Sequence, residues 1–401
     1  MFNELLSPWV RNLEKSDIQK ALQTTSKPDI ISFSLGRPDN DLLILPELKN
    51  TTENLFSPKN LQYSPPSLEL KTHIVELMRE KQVFCTPEQI ILTTGAQQAM
   101  TLLTKLFVSK GDSILIDQLT YPGFIQVAQA EQAKLIPIPV CFQQGLNVKE
   151  LRGILEQNKR PSLLYTISEG HNPLGISLSK EQRTALIKLT QHYQVPIIED
   201  DAYGFLNYDV VDSPLKSYWK EGVFYIGSFS KILAPSLRAG WIIAPESIIE
   251  KLEILKEGLD INTSTLSQTL ITSFFSKGSL KEHISKLKEQ YKSKRDVMIK
   301  ALKKHIPDME LYIPKSGFFI WGKLPSSINT DRLFKLALEE EKVSFLPGSA
   351  FLIGKRDDVQ NCLRLSFAFC PKELIEQGVK ALAKAIHRYK WKNEDQYLRV
   401  V

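Results

Sequence analysis

The sequence predicts an α/β fold in which a large domain, built on a mostly parallel sheet of seven strands, is joined to a smaller α+β domain. Seven candidate strands lie between Gln89 and Ala244 and mostly alternate with helices, which is the pattern of a parallel sheet. Most of these strands end in polar or glycine-containing segments, and ligands bind at the carboxyl ends of such strands. Beyond residue 305, three further apolar strands alternate with helices, as in a small α+β domain.

The length of 401 residues is sufficient for a large core and two domains. We predict an N-terminal arm with part of the small domain over residues 1–45, a large ligand-binding domain over 46–285 and a C-terminal small domain over 286–401. With 42% hydrophobic and 24% charged residues, the composition is that of an ordinary globular protein and argues against disorder.

Composition and charge also exclude several classes of protein. The net charge of +6 is modest, and lysines alternate with acids over residues 277–294, which indicates a solvated helix face and no nucleic-acid partner. Four cysteines without a CxxC pair and six scattered histidines predict reduced thiols in a cytoplasmic protein without metal. Early charges such as Arg11 and Glu14 argue against a signal peptide, and no apolar run is long enough to span a membrane.

Residues 1 to about 30 are predicted to form a helical arm, with a second helix starting near Ser16. The apolar residues at helical spacing are Leu5, Leu6, Trp9, Val10 and Leu13. A short strand from Ile30 then ends in a turn at Gly36, which on its own reads as a turn glycine.

The next predicted helix runs from Leu68 to Lys81. Its apolar stripe consists of Leu70, Ile74, Leu77 and Met78. Tyr63 precedes this helix, and on its own it reads as an interface or core tyrosine.

Two strand ends follow. The apolar strand from Gln89 leads into a turn at Gly95 and a helix of small residues, whose first backbone N–H groups form an anion site or only connect a strand to a helix. The strand from Ser113 ends before Tyr121, which on its own reads as a tyrosine that caps the sheet.

Two later strands also end in polar groups. One leads to the Asn-Pro-Leu-Gly turn that begins at Asn172. The other ends in three consecutive acids, Glu199, Asp200 and Asp201, which repel one another unless a cation is near. A cluster that caps the next helix is the alternative reading of the acids.

The stretch 224–245 organises the rest of the chain. Lys231 follows a core strand, and Arg238 comes seven residues later, just before another apolar strand. Two cations in this position indicate an anion between them, although an exposed loop lysine is the commoner case. Near the end of the chain, Arg364 interrupts an apolar strand, which requires either an anionic ligand or a buried ion pair.

Taken in order, these segments resemble the fold-type I pyridoxal 5'-phosphate (PLP) enzymes, in particular the class I and II aminotransferases. The resemblance runs from about residue 30 to residue 368, and residues 16–38 are similar to the branch of 2-aminoadipate and kynurenine aminotransferases. It implies PLP as cofactor, a homodimer with shared active sites, and transfer of an amino group between an L-amino acid and a 2-oxo acid.

The resemblance also implies a role for each candidate residue. Lys231 forms the Schiff base with PLP, Asp200 pairs with the pyridine nitrogen, and Tyr203 follows that acid at the family's spacing. Arg364 binds the substrate α-carboxylate, with Gly36 and Asn172 beside it. The other cofactor-binding residues that it implies are Gly95, Ala96, Gln97, Tyr121, Asn172, Ser228, Ser230, Arg238 and, from the neighbouring subunit, Tyr63.

The chain departs from the family pattern at several positions. Pro66 and Ser67 replace a glycine, Lys71 an arginine, Leu119 a proline and Leu174 a threonine. Three functions therefore stay open: an aminotransferase, another PLP reaction such as that of a β-lyase or decarboxylase, and a non-catalytic PLP-binding sensor. The presence of Lys231 favours an enzyme.

Overall fold

The computed structural model describes residues 2–11, 13, 27, 29–43, 55–157, 160–209, 212–354 and 359–398, and the helix predicted near Ser16 lies outside them. The strands are β1 (Ile31–Ser32), β2 (Ile90–Thr93), β3 (Ser113–Asp117), β4 (Lys134–Ile138), β5 (Val140–Cys141), β6 (Gly145–Leu146), β7 (Leu163–Thr166), β8 (Ile197–Asp200), β9 (Val223–Ser228), β10 (Gly240–Ile243), β11 (Glu310–Leu311), β12 (Phe319–Lys323), β13 (Val343–Ser344), β14 (Leu346–Pro347) and β15 (Cys362–Ser366). The helices are α1 (Phe2–Leu5), α2 (Pro58–Leu61), α3 (Leu68–Glu80), α4 (Ala96–Phe107), α5 (Pro122–Ala130), α6 (Val148–Gln157), α7 (Lys180–Tyr193), α8 (Leu215–Tyr218), α9 (Glu246–Asp260), α10 (Thr265–Ser276), α11 (Ser279–His305), α12 (Thr330–Glu340) and α13 (Lys372–Leu398).

The central sheet has seven strands in the order β2-β10-β9-β8-β7-β3-β4. All neighbours are parallel except β10, which is antiparallel to both β2 and β9. The predicted seven-stranded, mostly parallel sheet is therefore confirmed.

Both faces of this sheet are buried, which explains its continuous apolar strands. On β8, Ile198 packs in one cluster with Phe124 and Phe224, while its neighbour Ile197 packs on the opposite face with Leu186. Because successive side chains point to opposite faces, a strand with a helical layer on each side has to be apolar throughout.

Helix α3 confirms the predicted stripe, since Leu70, Ile74, Leu77 and Met78 are its buried residues. The Ser67 side chain caps its start by accepting a hydrogen bond from the Leu70 N–H at 3.1 Å. The helix ends at Glu80, so Lys81 is its C-cap.

A second sheet of four antiparallel strands, in the order β11-β12-β15-β14, follows the long helix α11. Arg364 lies on β15 between Trp321 of β12 and Leu346 of β14. Strand β1 pairs in parallel with β13, which joins the N-terminal segment to this end of the chain.

The N-terminal arm differs from the prediction. Helix α1 ends at Leu5 and turns follow over residues 8–11, because Pro8 cannot donate the hydrogen bond that a continuing helix needs and disfavours helical backbone in Ser7. Its apolar side chains are exposed, Phe2 to 80% and Leu5 to 77%.

Among the described residues, no helix has both the length and the apolar character needed to cross a bilayer. The four cysteines are free thiols.

Candidate active site

A cavity of about 260 Å³ lies between the ends of the central strands and the small sheet. Its lining contains every residue that the sequence predicts for the site except Gly95 and Tyr63. The lining residues are Leu35, Gly36, Arg37, Ala96, Gln97, Met100, Tyr121, Ile167, Asn172, Asp200, Ala202, Tyr203, Ser228, Ser230, Lys231, Arg238, Phe319 and Arg364.

Lys231 follows strand β9 and points its amine into this cavity. The Nζ atom donates to the carbonyl oxygen of Gly36 at 2.8 Å. The pKa of Lys231 is lowered to about 8, mainly by burial and also by the positive charges of Arg364 and Arg238, while Asp200 opposes the shift. A neutral, nucleophilic amine is therefore accessible near neutral pH.

Gly36 is required by close packing on both of its sides. A Cβ at this position would lie 2.6 Å from the Phe319 ring and 3.3 Å from the Tyr203 hydroxyl. The glycine thus allows the backbone to line the cavity and to present its carbonyl oxygen to Lys231.

A group of anion-binding donors lies at the start of helix α4. Gly95 has a φ of 81°, and a Cβ there would lie 2.6 Å from the guanidinium of Arg238. That guanidinium makes long hydrogen bonds, 3.4 Å to the carbonyl oxygen of Thr94 and 3.3 Å to that of Pro235. Among the described residues it has no carboxylate partner, so guanidinium and helix start together suit a phosphate.

Side chains around this helix start hold it in place. Gln97 uses its Nε2 to donate to the carbonyl oxygen of Gly123 at 2.9 Å, which leaves its backbone N–H for an anion. The Ser228 hydroxyl accepts from the Ser230 N–H at 3.1 Å, and both hydroxyls reach the cavity wall.

Asp200 lies at the end of β8, where it is buried. It accepts a 2.8 Å hydrogen bond from the Tyr165 hydroxyl and a 3.3 Å bond from the Ala202 N–H. Burial raises the pKa of Asp200 to about 6, and both hydrogen bonds oppose that shift. The acid can therefore carry a negative charge at neutral pH and pair with a cationic ring nitrogen.

The two flanking acids have structural partners. Glu199 accepts from the backbone N–H groups of Leu215 and Lys216, at 2.8 and 2.9 Å, and so caps helix α8. Asp201 contacts the Lys81 amine and accepts a 2.6 Å bond from the Tyr225 hydroxyl. Two cations lie near the acidic run: Lys81, at the end of helix α3, pairs with Asp201, and Arg183 lies 3.9 Å from Glu199.

Two tyrosines line the cavity. A Cβ on Gly123 would lie 2.3 Å from the Tyr121 ring, so that glycine leaves the space the ring occupies. Tyr203 stands edge-on to Phe318 and Phe319, with ring centroids 5.3 and 5.5 Å apart. Burial raises the pKa of both hydroxyls, which keeps them protonated.

Arg364 projects from β15 and is 2% exposed. Its Nη1 donates to the side-chain oxygen of Asn172 at 2.7 Å, and its Nη2 donates to the carbonyl oxygen of Ser34. The guanidinium lies over Phe319 and Phe351, 4.1 and 4.8 Å from the ring centroids. Burial lowers the pKa of Arg364 to about 9, which leaves it charged at neutral pH.

No carboxylate among the described residues pairs with Arg364, and its Nε has no hydrogen-bond partner there. The buried ion pair that the sequence left open is thus not found in that part of the chain. A buried cation with an unused donor at a cavity suits the carboxylate of a small ligand.

Tyr63 lies away from the cavity of its own chain. Its side chain is 82% exposed, so a core tyrosine is excluded. It lies in a surface depression with Asn262, Thr263 and neighbouring residues.

Sequence reasoning missed residues that act through others. Tyr165 looks like an ordinary strand aromatic, and Lys81 looks like an ordinary lysine at a helix end. The partners of these two lie 35 and 120 residues away, so no local pattern reveals either contact.

Comparison with known proteins matches the chain to one family model. The family described as aminotransferase class I and II matches residues 28–382. An aromatic-amino-acid aminotransferase of Thermococcus litoralis is 33% identical over 96% of this chain and 94% of its own length. A 2-aminoadipate transaminase of Thermus thermophilus is 30% identical over 96% and 97% of the two chains. The crystal structure of a Pyrococcus horikoshii kynurenine aminotransferase superposes with a TM-score of 0.90 at 28% identity, covering 96% of this chain and 98% of its own.

Proposed function

The chain belongs to the class I and II aminotransferases and is a PLP-dependent transaminase, and from this premise we propose that Lys231 carries the cofactor and the proton while Arg364 selects α-amino acids. One observation carries the residue assignment. Lys231, with a pKa lowered to about 8, shares a cavity with two arginines that lack a carboxylate partner among the described residues. Arg238 is placed to bind a phosphate, and Arg364 is placed to bind a carboxylate.

The residues present fit PLP. The donors of Gly95, Ala96, Gln97, Ser228, Ser230 and Arg238 would hold its phosphate, and Asp200 would hold its ring nitrogen. Tyr121 would pack on the ring, while Asn172 and Tyr203 would lie beside it. When bound, PLP supplies a ring that accepts the electron pair left behind when the substrate loses its Cα proton.

The chain's own residues orient the substrate and move that proton. Arg364 would bind the α-carboxylate through two parallel hydrogen bonds, with its position fixed by Asn172 and Ser34. Such a clamp determines which bond of Cα faces the ring and therefore which bond breaks. The Lys231 amine then acts as the base that takes the proton, and as the acid that returns it.

A half-reaction screen tests this proposal. Holoenzyme mixed with single L-amino acids is expected to yield pyridoxamine phosphate and the matching 2-oxo acid, followed by absorbance. Borohydride reduction and peptide mapping are expected to place the cofactor on Lys231. Release of ammonia or carbon dioxide in place of the oxo acid, or a label on another lysine, would overturn it.

We also propose a homodimer in which Tyr63 completes the partner's site. Its support is an exposed apolar surface on and beside the Tyr63 loop, formed by Phe56, Leu61, Leu68 and Ile261, and, separately, the exposed apolar side chains of the N-terminal arm. Mixed Tyr63→Phe and Lys231→Ala subunits are expected to recover activity through the one intact site of the hybrid. A fully active monomer in sedimentation contradicts this.

Two further proposals concern location and domains. The free thiols of the four cysteines suit a cytoplasmic enzyme, which fractionation of the source cells would test. We retain residues 46–285 as the large PLP-binding domain, with 1–45 and 286–401 contributing to the small domain. The parallel pairing of β1 with β13 supports that division, and limited proteolysis would test it.

A further inference from the structure

Asp201 and Lys81 form an ion pair directly behind the cofactor site. Asp200 and Asp201 are neighbours whose side chains leave the chain in different directions, Asp200 toward Tyr165 and Asp201 toward Tyr225. The Lys81 amine reaches Asp201 from the end of helix α3, and the two side chains are 12% and 1% exposed.

The surrounding residues are built around this pair. A Cβ on Gly204 would lie 2.0 Å from Asp201 Oδ1 and 2.1 Å from Lys81 Nζ, so only glycine leaves room for the contact. The Lys81 amine also lies 4.6 Å from the centroid of the Phe205 ring. Lys81 contacts Asp201 Oδ2, which also accepts from the Tyr225 hydroxyl, and Oδ1 has no hydrogen-bond partner among the described residues. Loss of Lys81 would therefore leave this buried carboxylate with the Tyr225 hydroxyl as its remaining side-chain partner.

The charge of Asp201 acts on Asp200. Burial is the main reason that the pKa of Asp200 is raised to about 6, and the negative charge of Asp201 raises it as well, whereas Tyr165 and Lys231 lower it. Among the described residues, the titratable groups that interact with Asp200 include Tyr121, Tyr165, Tyr203, Tyr225, Asp201 and Lys231. Of these, Asp201 is the one negative neighbour, and Lys81 is the cation in contact with it.

We propose that Lys81 is a positioning residue for the reaction, which pairs with Asp201 and prevents the charge of that carboxylate from acting unopposed on Asp200. The proposal rests on the proposed function, because it takes Asp200 as the partner of the PLP ring nitrogen. Lys81 itself touches neither cofactor nor substrate.

Charge changes at the two positions test this in opposite directions. In Lys81→Met, the unopposed Asp201 makes Asp200 harder to ionise, so the acid limb of kcat/KM is expected to move up by roughly 0.5 to 1 pH unit. In Asp201→Asn, the remaining Lys81 cation makes Asp200 easier to ionise, so the limb is expected to move down. The double variant is expected to return close to the wild-type midpoint, and Lys81→Arg to keep it.

A second readout does not depend on turnover. The affinity of cofactor-free protein for PLP, measured against pH, is expected to weaken a few-fold below pH 7 in Lys81→Met and to stay unchanged near pH 8.5. Lys281→Met is the matched control, because Lys281 lines the same surface cavity as Lys81 but pairs with Glu80. That control is expected to shift neither midpoint.

Each outcome decides the question. A purely structural pair would lower the melting temperature of Lys81→Met while both midpoints stay in place, and that result overturns the proposal. If Lys81→Met does not fold, Asp201→Asn and the double variant still decide, since an unmoved or raised midpoint in Asp201→Asn contradicts it. If the wild-type enzyme forms no pyridoxamine phosphate, the proposed function is refuted. The role of Lys81 is tested separately, by the pH dependence of PLP affinity.

Discussion

The two walls of the cavity are built in different ways. On the wall formed by the central sheet, charges of both signs lie close together, and Asp200, Lys231 and Arg238 come from the ends of neighbouring strands. On the opposite wall, Arg364 is deeply buried against aromatic rings, and it is fixed by a carbonyl and an amide oxygen. The first wall suits a cofactor of fixed structure, while the second suits any substrate that carries an α-carboxylate.

The largest effect should come from the residue that serves both walls. Lys231→Ala is expected to reduce transamination by at least about 10⁴-fold, because the variant lacks the base that moves the proton. It should still bind PLP, since the phosphate and ring-nitrogen contacts remain. Single-turnover absorbance with titration of PLP measures both, and turnover within 100-fold of wild type would show that another group moves the proton.

On the substrate wall, Arg364→Ala should lower kcat/KM by roughly 30- to 1000-fold, since a bidentate contact to a charged group is lost. The loss is expected to be similar for every amino acid, whatever its side chain, while PLP affinity changes little. Steady-state kinetics over a panel of amino acids provides the measurement. A loss confined to one class of side chain would mean that Arg364 reads the side chain and not the α-carboxylate.

On the cofactor wall, Arg238→Gln should weaken PLP binding by about 10-fold, because a charge-assisted contact to phosphate is lost at an exposed position. Substrate preference should stay as in the wild type. Fluorescence titration of cofactor-free protein gives the affinity, and Arg37→Gln is the control, since that exposed arginine lines the same cavity near Gly36. If both variants lost the same PLP affinity, Arg238 would have no specific role in binding the cofactor.

The smallest effect is expected from Tyr165→Phe. Without its hydrogen bond, the pKa of Asp200 rises above about 6, so the ionised acid that is present at high pH is lost earlier as the pH falls. The acid limb should move up by about 1 pH unit, with only a few-fold loss at pH 7. A pH profile that stays in place would show that Tyr165 only fills space against Phe124.

The sequence predicts a site residue when that residue breaks the local pattern of apolar and polar positions, and it does not predict one that fits the pattern. Lys231, Asp200 and Arg364 interrupt or end apolar strands. A charge there requires a partner or a ligand, so the sequence alone marks these residues as candidates. Lys81 and Tyr165 fit their local patterns, so only the fold reveals their partners. The amphipathic spacing of the N-terminal arm predicts a longer helix than the one that forms, because Pro8 lacks the N–H group that a continuing helix needs.

The reversed strand β10 has a mechanical consequence. Since β9 leaves the central sheet at its ligand edge and β10 returns from that same edge, with Gly240 opposite Ser228, residues 229–239 form a closed hairpin anchored at both ends. Lys231 and Arg238 therefore lie on one connection whose two ends are held together by a ladder of backbone hydrogen bonds. If the small sheet moves toward or away from the cavity, the distance from Arg364 to the substrate changes. Both ends of the 229–239 connection stay anchored in the central sheet. The contact of Arg364 with the substrate can thus change independently of the contacts that Lys231 and Arg238 make with the cofactor.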